Sequence, residues 1–266
     1  DYGQDLDVAN LFESDFYKDY CARLYDYNQK GYISADASTD TTAVGELVKA
    51  GTLMSYTTGG KPGIKAQETT LTGRDMTIFQ TLDDYIGSTS VAGMPWTIPI
   101  SAQHKEAAMK FLNECYSNAD VANLLAWGIE GTHYKIGDDG LATYADGVDA
   151  SNSGWNHSMG WMMPNQFLTH VWEGNDPDLW DKMRDFNNNA KVSKASGFSF
   201  DSTNVANEIT AVQNVYNEYQ TSVEYGFVDP ETGIAEMNDK MMAAGLQKII
   251  DEKAAQLAAW QEANKK

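Results

Sequence analysis

Residues 148–167 form a stretch rich in tryptophan and amide side chains that contains no lysine or arginine. It includes Trp155 and Trp161, with Asn165 and Gln166 near its end. Indole rings stack on the apolar face of a pyranose, and amide groups hydrogen-bond its hydroxyls. Neither a helical nor a strand pattern fits the first half of the stretch. These residue types indicate either a sugar-binding site or a tryptophan-filled core.

The clustering of tryptophans favours the binding site. Four of the seven tryptophans lie between residues 127 and 172, with amide side chains and Glu130 among them. A single tryptophan is more often a packing residue, as we expect for Trp180 and Trp260 at core spacing on predicted helices. Aromatic side chains interleaved with polar ones are typical of a ligand pocket.

Catalytic chemistry has little support in the sequence. The four histidines accompany no GxSxG nucleophile motif, and no phosphate-binding loop occurs. His133 and His157 lie in the irregular region, where they could touch a ligand. Paired carboxylates for glycoside hydrolysis remain open, because any two acids can meet in a fold. We expect no enzyme, no cofactor and no metal; the acidic run Asp138-Asp139-Gly140 lacks the spacing of a calcium loop.

Composition narrows the classes of partner. The chain has 266 residues, enough for a large domain or two lobes, and a formal charge of −19 that repels phosphate backbones. Nucleic-acid binding is therefore not expected. The two cysteines, Cys21 and Cys115, occupy apolar positions of predicted helices, where buried free thiols are the simplest interpretation.

Periodicity predicts a helix-rich chain with a few strands in its first hundred residues. Strands are predicted at 52–57 and 76–82, followed by an extended segment at 94–100 and a long irregular region at 129–160. Helices are predicted at 14–30, 42–50, 103–117, 119–127, after Asp176-Pro177, at 203–225, from Pro230, and at 246–262.

Several segments together resemble a known family. The chain is similar to the extracellular solute-binding proteins of bacterial ABC importers, in the carbohydrate-type branch that contains lipoproteins named for aldouronate binding. Residues 163–164, Met-Pro, depart from the aromatic and glycine common there, and the proline stiffens that loop. The segments that carry the resemblance are 107–113, 123–134, 160–167, 171–180, 197–201 and 243–260.

The resemblance implies an α/β, helix-rich fold, the periplasmic-binding-protein-like type II bilobed fold. Members are about twice as long, so this chain is expected to match the C-terminal portion. The implied organisation has four parts: 1–95, mainly a C-terminal-lobe segment with strands; 96–135, a hinge crossover and helices of the other lobe; 136–200, a ligand-facing irregular region and helix; and 201–266, a C-terminal helical region. The crossover would include Ser90 to Pro99.

The implied function is capture of an oligosaccharide, neutral or uronic-acid-containing, between two lobes for import. The expected partners are a carbohydrate ligand and membrane permease subunits; the protein is expected to be a monomer and an extracellular lipoprotein, with its anchor outside this chain. A lectin-like interaction module and a glycoside hydrolase are the alternatives. The predicted ligand contacts are Trp127, Glu130, Trp155, Trp161, Asn165, Gln166 and, with less support, Lys61.

Overall fold

The computed structural model describes residues 2–87, 90, 95–155, 157 and 159–264. These residues divide into two compact units that are discontinuous in sequence. Unit 1 holds the described residues within 1–43, 86–90 and 192–266, and unit 2 holds those within 44–85 and 91–191. The four-part division predicted from the sequence stays a prediction.

Helices dominate both units. In chain order they are α1 (Asp15–Gln29), α2 (Val44–Ala50), α3 (Ile64–Thr72), α4 (Lys105–Ser117), α5 (Ala119–Trp127), α6 (Leu179–Asn189), α7 (Ala206–Glu224), α8 (Pro230–Ala243) and α9 (Leu246–Ala263). The strands are β1 (Tyr85–Ile86), β2 (Tyr134–Ile136), β3 (Ala142–Tyr144) and β4 (Lys191–Val192). β1 pairs with β4, and β2 pairs with β3.

Unit 1 is built around the contact of α1 with α7 and α8. Met237 and Met241, one helical turn apart on α8, are fully buried, and Cys21 of α1 is buried with them. This spacing of four places both methionines on one face of the helix. The apolar periodicity seen in the sequence is therefore the face that forms this core.

A shared carboxylate ties α1 to α7. The hydroxyl groups of Tyr17 and Tyr216 both donate to Glu224 Oε1, at 3.1 Å and 2.9 Å. Burial, followed by the interactions with Cys21 and Glu224, raises the pKa of Tyr17. Burial and the hydrogen bond to Glu224 raise the pKa of Tyr216 to about 12. Both phenols therefore stay protonated as donors at neutral pH.

Unit 2 combines short helices with an antiparallel hairpin. In the hairpin Tyr134 faces Tyr144 and Ile136 faces Ala142. The backbone N–H of Ala142 donates to Val171 O at 2.8 Å, and Glu173 N–H donates to Ala142 O at 2.8 Å. These bonds hold the segment before α6 against β3.

Most predicted helices are confirmed within a few residues. α5 begins at the Asn118 cap, whose side chain accepts from Asp120 N–H, and ends at Gly128. α8 begins at Pro230 with Asp229 as its cap. α6 starts at Leu179, after the predicted Asp176-Pro177 boundary. Both cysteines are buried and free, which confirms the interpretation of their apolar positions.

The predicted strands at 52–57 and 76–82 are wrong, because both segments lack regular strand structure. Their threonine, tyrosine and aliphatic residues favour strands only when a neighbouring strand is available to pair. α3 was not predicted; it lies between Gly63 and Gly73, both in left-handed conformation. The region 129–160 is not wholly irregular, since it contains β2 and β3.

The predicted crossover lies partly outside the described residues. Its central positions, 91–94, are not described, and residues 95–99 form neither helix nor strand. None of the helices in the described part of the chain combines the length and the apolar character needed to cross a bilayer.

Gly226 provides a test of the α1–α7 contact. A Cβ atom there would lie 2.5 Å from both Leu24 O and Tyr25 Cα, at a φ of +67°. Replacing Gly31 is the matched control, since it has a φ of +73° and open space around it. We expect Gly31→Ala to cost about 1–2 kcal/mol from its left-handed backbone, and Gly226→Ala at least about 2 kcal/mol more from the steric clash. Urea unfolding measures both, and equal losses would contradict the packing described.

Candidate functional site

Unit 2 contains a cavity of about 770 Å³, which we call the aromatic cavity. One side comes from the turn before α3 and from α3 itself, and another from α6. The tryptophan-rich segments between Ala126 and Asn175 supply most of the remaining lining. The lining includes Lys61, Trp127, His133, Tyr144, Trp155, Gln166 and Trp172.

Three aromatic rings form one wall of the cavity. The rings of Trp127 and Trp172 lie 4.7 Å apart between centroids, and Tyr144 meets Trp172 edge-on at 5.0 Å. Trp127 Nε1 donates to His170 O at 3.1 Å. Because its only polar atom is bound to the backbone, the Trp127 ring is fixed and presents carbon surface to the cavity.

Trp155 forms a second aromatic element of the lining. Its side chain is 42% exposed, and its Nε1 donates to Leu125 O at 3.2 Å. The His133 ring lies beside it, with centroids 6.4 Å apart. A tethered but accessible indole provides a flat apolar surface of the kind that stacks on a sugar ring.

Polar side chains also line the cavity. The Gln166 side chain lines the cavity and makes no hydrogen bond to any residue that the structure describes. The neighbouring Trp180 ring is fixed by a 2.7 Å bond from its Nε1 to Thr169 O. The Gln166 amide, by contrast, has both its donor and its acceptor available.

The two lysines of the lining differ in their surroundings. Lys65 forms a 3.2 Å ion pair with Asp75, and both side chains are exposed. Lys61 is half-buried, and no carboxylate among the described residues pairs with it. Burial lowers the pKa of Lys61. Its positive charge is therefore the one most available to an acidic ligand group in the described lining.

The predicted contacts fall into two groups. Trp127, Trp155, Gln166 and Lys61 line the aromatic cavity together. Glu130 is exposed in the turn that bridges to Tyr134. Trp161 and Asn165 also lie outside the cavity lining. The role of all seven as ligand contacts stays a prediction.

Asn165 has a structural role that the sequence did not reveal. Its Nδ2 donates to Tyr116 O at 3.2 Å, while its Oδ1 accepts from Phe167 N–H at 3.2 Å. Both ends of the amide are therefore used within the protein.

Sequence reasoning missed Trp172, Tyr144 and the α3 side of the cavity as components of the site. The clustering of Trp172 with other tryptophans was a visible signal, but its place in the wall depends on the backbone bonds to Ala142. No group of three or more histidine, cysteine or acidic side chains suited to a metal occurs among the residues that the structure describes.

Comparisons with known proteins agree with the family resemblance. A curated carbohydrate ABC transporter substrate-binding protein from Streptococcus pneumoniae serotype 4 is 26% identical over 256 residues, which is 94% of this chain and 51% of that protein. The crystal structure of the N-glycan transport solute binding protein NgtS from Streptococcus pneumoniae matches with a TM-score of 0.80 and 21% identity, covering 97% of this chain and 57% of that one.

The chain has the solute-binding-protein fold and is homologous to a carbohydrate ABC transporter substrate-binding protein. The expected fold class is thereby confirmed. NgtS in complex with Man1GlcNAc gives a TM-score of 0.78 at 23% identity, covering 96% of this chain and 57% of that one. NgtS in complex with Man5GlcNAc gives a TM-score of 0.73 at 20% identity, covering 98% of this chain and 57% of that one.

This solute-binding-protein homologue spans about half the length of the relatives it matches. That coverage is consistent with the expected correspondence to a C-terminal portion. A family model described as "Domain of unknown function (DUF3502)" matches residues 194–262, which include α7, α8 and most of α9. The aldouronate branch stays a prediction.

Lys61 provides a stability test of the cavity. Burial penalises the charged amine, so the folded pKa lies below the ordinary value of 10.5. This penalty is fully present at neutral pH and disappears as pH rises through the folded pKa to 10.5 and beyond.

We therefore expect Lys61→Met to raise the free energy of unfolding at pH 7, and the gain to shrink towards pH 10.5. Lys65→Met, which removes an exposed ion pair, is the control and should give no such gain. Denaturant unfolding at several pH values measures the difference. A gain that is independent of pH would show that Lys61 carries no burial penalty on its charge.

Proposed function

We propose that this chain is the sugar-holding part of an ABC importer's solute-binding protein and that the aromatic cavity of unit 2 contacts an oligosaccharide. The observation that carries the proposal is the juxtaposition of accessible indole rings with a free amide and a cation. The solute-binding fold and the homology to a carbohydrate ABC transporter protein support it.

The aromatic rings match the apolar faces of a pyranose. Trp155 is accessible, and the Trp127–Trp172 pair presents fixed carbon surface, so a sugar face meets preorganised partners. Fixed rings lose little conformational entropy when a ligand binds, which favours affinity. The Gln166 amide supplies both a donor and an acceptor to sugar hydroxyls.

Capture by the whole protein would require no bond chemistry. Two lobes close on the ligand because contacts made only in the closed state shift the population towards it. The captured sugar is then passed to membrane permease subunits by an extracellular, lipid-anchored, monomeric protein. A sugar recovered chemically unchanged after incubation would support binding without catalysis, and a hydrolysed product would favour the glycosidase alternative.

Stacking on Trp155 is tested by a matched pair of variants. We expect Trp155→Ala in the full-length protein to weaken binding of its best sugar by about 1–3 kcal/mol, the range found for bases stacked on aromatic side chains. Trp161→Ala is the control, because Trp161 is 52% exposed yet lies outside the cavity lining. Calorimetry against Man1GlcNAc, Man5GlcNAc, a xylo-oligosaccharide and its uronic-acid derivative measures both.

A protein that binds none of these sugars would overturn the proposed function. Equal losses in the two variants would instead place the contact surface beyond the aromatic cavity.

A Lys61 variant tests whether the bound sugar is neutral or acidic. If the sugar carries a carboxylate beside this half-buried amine, Lys61→Met should weaken binding of the acidic oligosaccharide by roughly 1.5–3 kcal/mol. Binding of its neutral analogue should be unchanged. A uronic-acid component of the ligand is proposed on the resemblance to the aldouronate branch and, in the structure, on Lys61. Equal effects on the two sugars, measured by calorimetry, would remove that component and leave oligosaccharide binding standing.

A further inference from the structure

The His133 ring is locked against its own turn. Its Nδ1 accepts a 2.8 Å hydrogen bond from the backbone N–H of Ile129, and the backbone N–H of His133 donates to Ile129 O at 2.9 Å. A nitrogen that accepts a hydrogen bond carries no proton. The neutral ring therefore has its proton on Nε2.

Gly128 makes this arrangement possible. Its backbone has φ +86° and ψ −146°, a region almost restricted to glycine. A Cβ atom at this position would lie 2.5 Å from His133 Nδ1. Any other residue at 128 would push the ring away from Ile129, so the glycine and the histidine orientation depend on each other.

The second ring nitrogen is available to a ligand. His133 lines the aromatic cavity beside Trp155, and its Nε2 has no hydrogen-bond partner within the described ranges of the chain. A ligand that enters the cavity displaces water from this half-buried donor. The donor is then left without a hydrogen bond unless the ligand offers an acceptor.

We propose that His133 is a ligand-contacting residue whose Nε2–H donates to an acceptor oxygen of the bound sugar, with Gly128 and Ile129 as the positioning residues. This inference rests on the proposed function of the cavity. It adds a directional donor beside an aromatic surface. Such a donor discriminates against analogues in which the partner oxygen is missing.

Two substitutions separate the roles of the two ring nitrogens. In His133→Asn the short amide retains an acceptor near the Nδ1 position, so the bond from Ile129 is kept and the distal donor is lost. In His133→Gln the longer amide retains a donor near the Nε2 position and loses the acceptor for Ile129.

The experiment measures thermal unfolding and calorimetric affinity for the tightest-binding sugar of the panel above, using the full-length protein. We expect His133→Asn to unfold near the wild-type temperature and to bind about tenfold more weakly, the effect of one lost hydrogen bond to a desolvated partner. We expect His133→Gln to unfold at a lower temperature and to bind more tightly than the asparagine variant.

Gly128→Ala should weaken binding by a similar factor, and adding it to His133→Asn should weaken binding no further. Additive losses would contradict the assignment of Gly128 as a positioning residue.

A His133→Asn protein that binds like the wild type would overturn the proposal while leaving sugar binding intact. A wild-type protein that binds no sugar would overturn both proposals, and so the two failures are distinguishable.

Discussion

Two backbone hydrogen bonds hold the aromatic cavity together. Ala142, fully buried on β3, donates to Val171 O and accepts from Glu173 N–H. These bonds attach the segment before α6 to the hairpin and place Trp172 between the rings of Trp127 and Tyr144. The three-ring wall therefore depends on the strand-like pairing of Ala142 with Trp172, which are about thirty residues apart in sequence. The alternating geometry of extended chain puts the Trp172 side chain on the side where the other rings lie.

The same cavity separates atoms used by the protein from atoms left for a ligand. The indole nitrogens of Trp127, Trp155 and Trp180 all donate to backbone carbonyls. These bonds hold their rings in place. The Gln166 amide, His133 Nε2 and Lys61 Nζ in the lining have no hydrogen-bond partner among the residues that the structure describes, and they supply donors and an acceptor at separate positions. Fixed apolar surfaces with a few convergent polar groups are characteristic of small-molecule sites.

Unit 1 is held together mainly by apolar packing between helices rather than by pairing of extended segments. Its core is a three-helix contact in which two methionines and a cysteine are fully buried, and Glu224 accepts from two phenols at the edge. Because these contacts follow helical spacing, the sequence predicted α1, α7 and α8 within a few residues. α3 was missed because it is a short helix between two glycines, Gly63 and Gly73. The strands expected at 52–57 and 76–82 failed because their composition carries no information about a pairing partner.

The sequence by itself determined the helical faces, the buried thiols and the concentration of tryptophans and amides between residues 127 and 172. These features depend on residue type and local periodicity. Only the tertiary structure decided which of those side chains meet. It brought Trp127, Trp155, Gln166 and Lys61 to one cavity, and it placed Trp161 and Asn165 outside the lining. The physical reason is that membership of a cavity is fixed by hydrogen bonds and packing between distant segments, which local spacing does not encode.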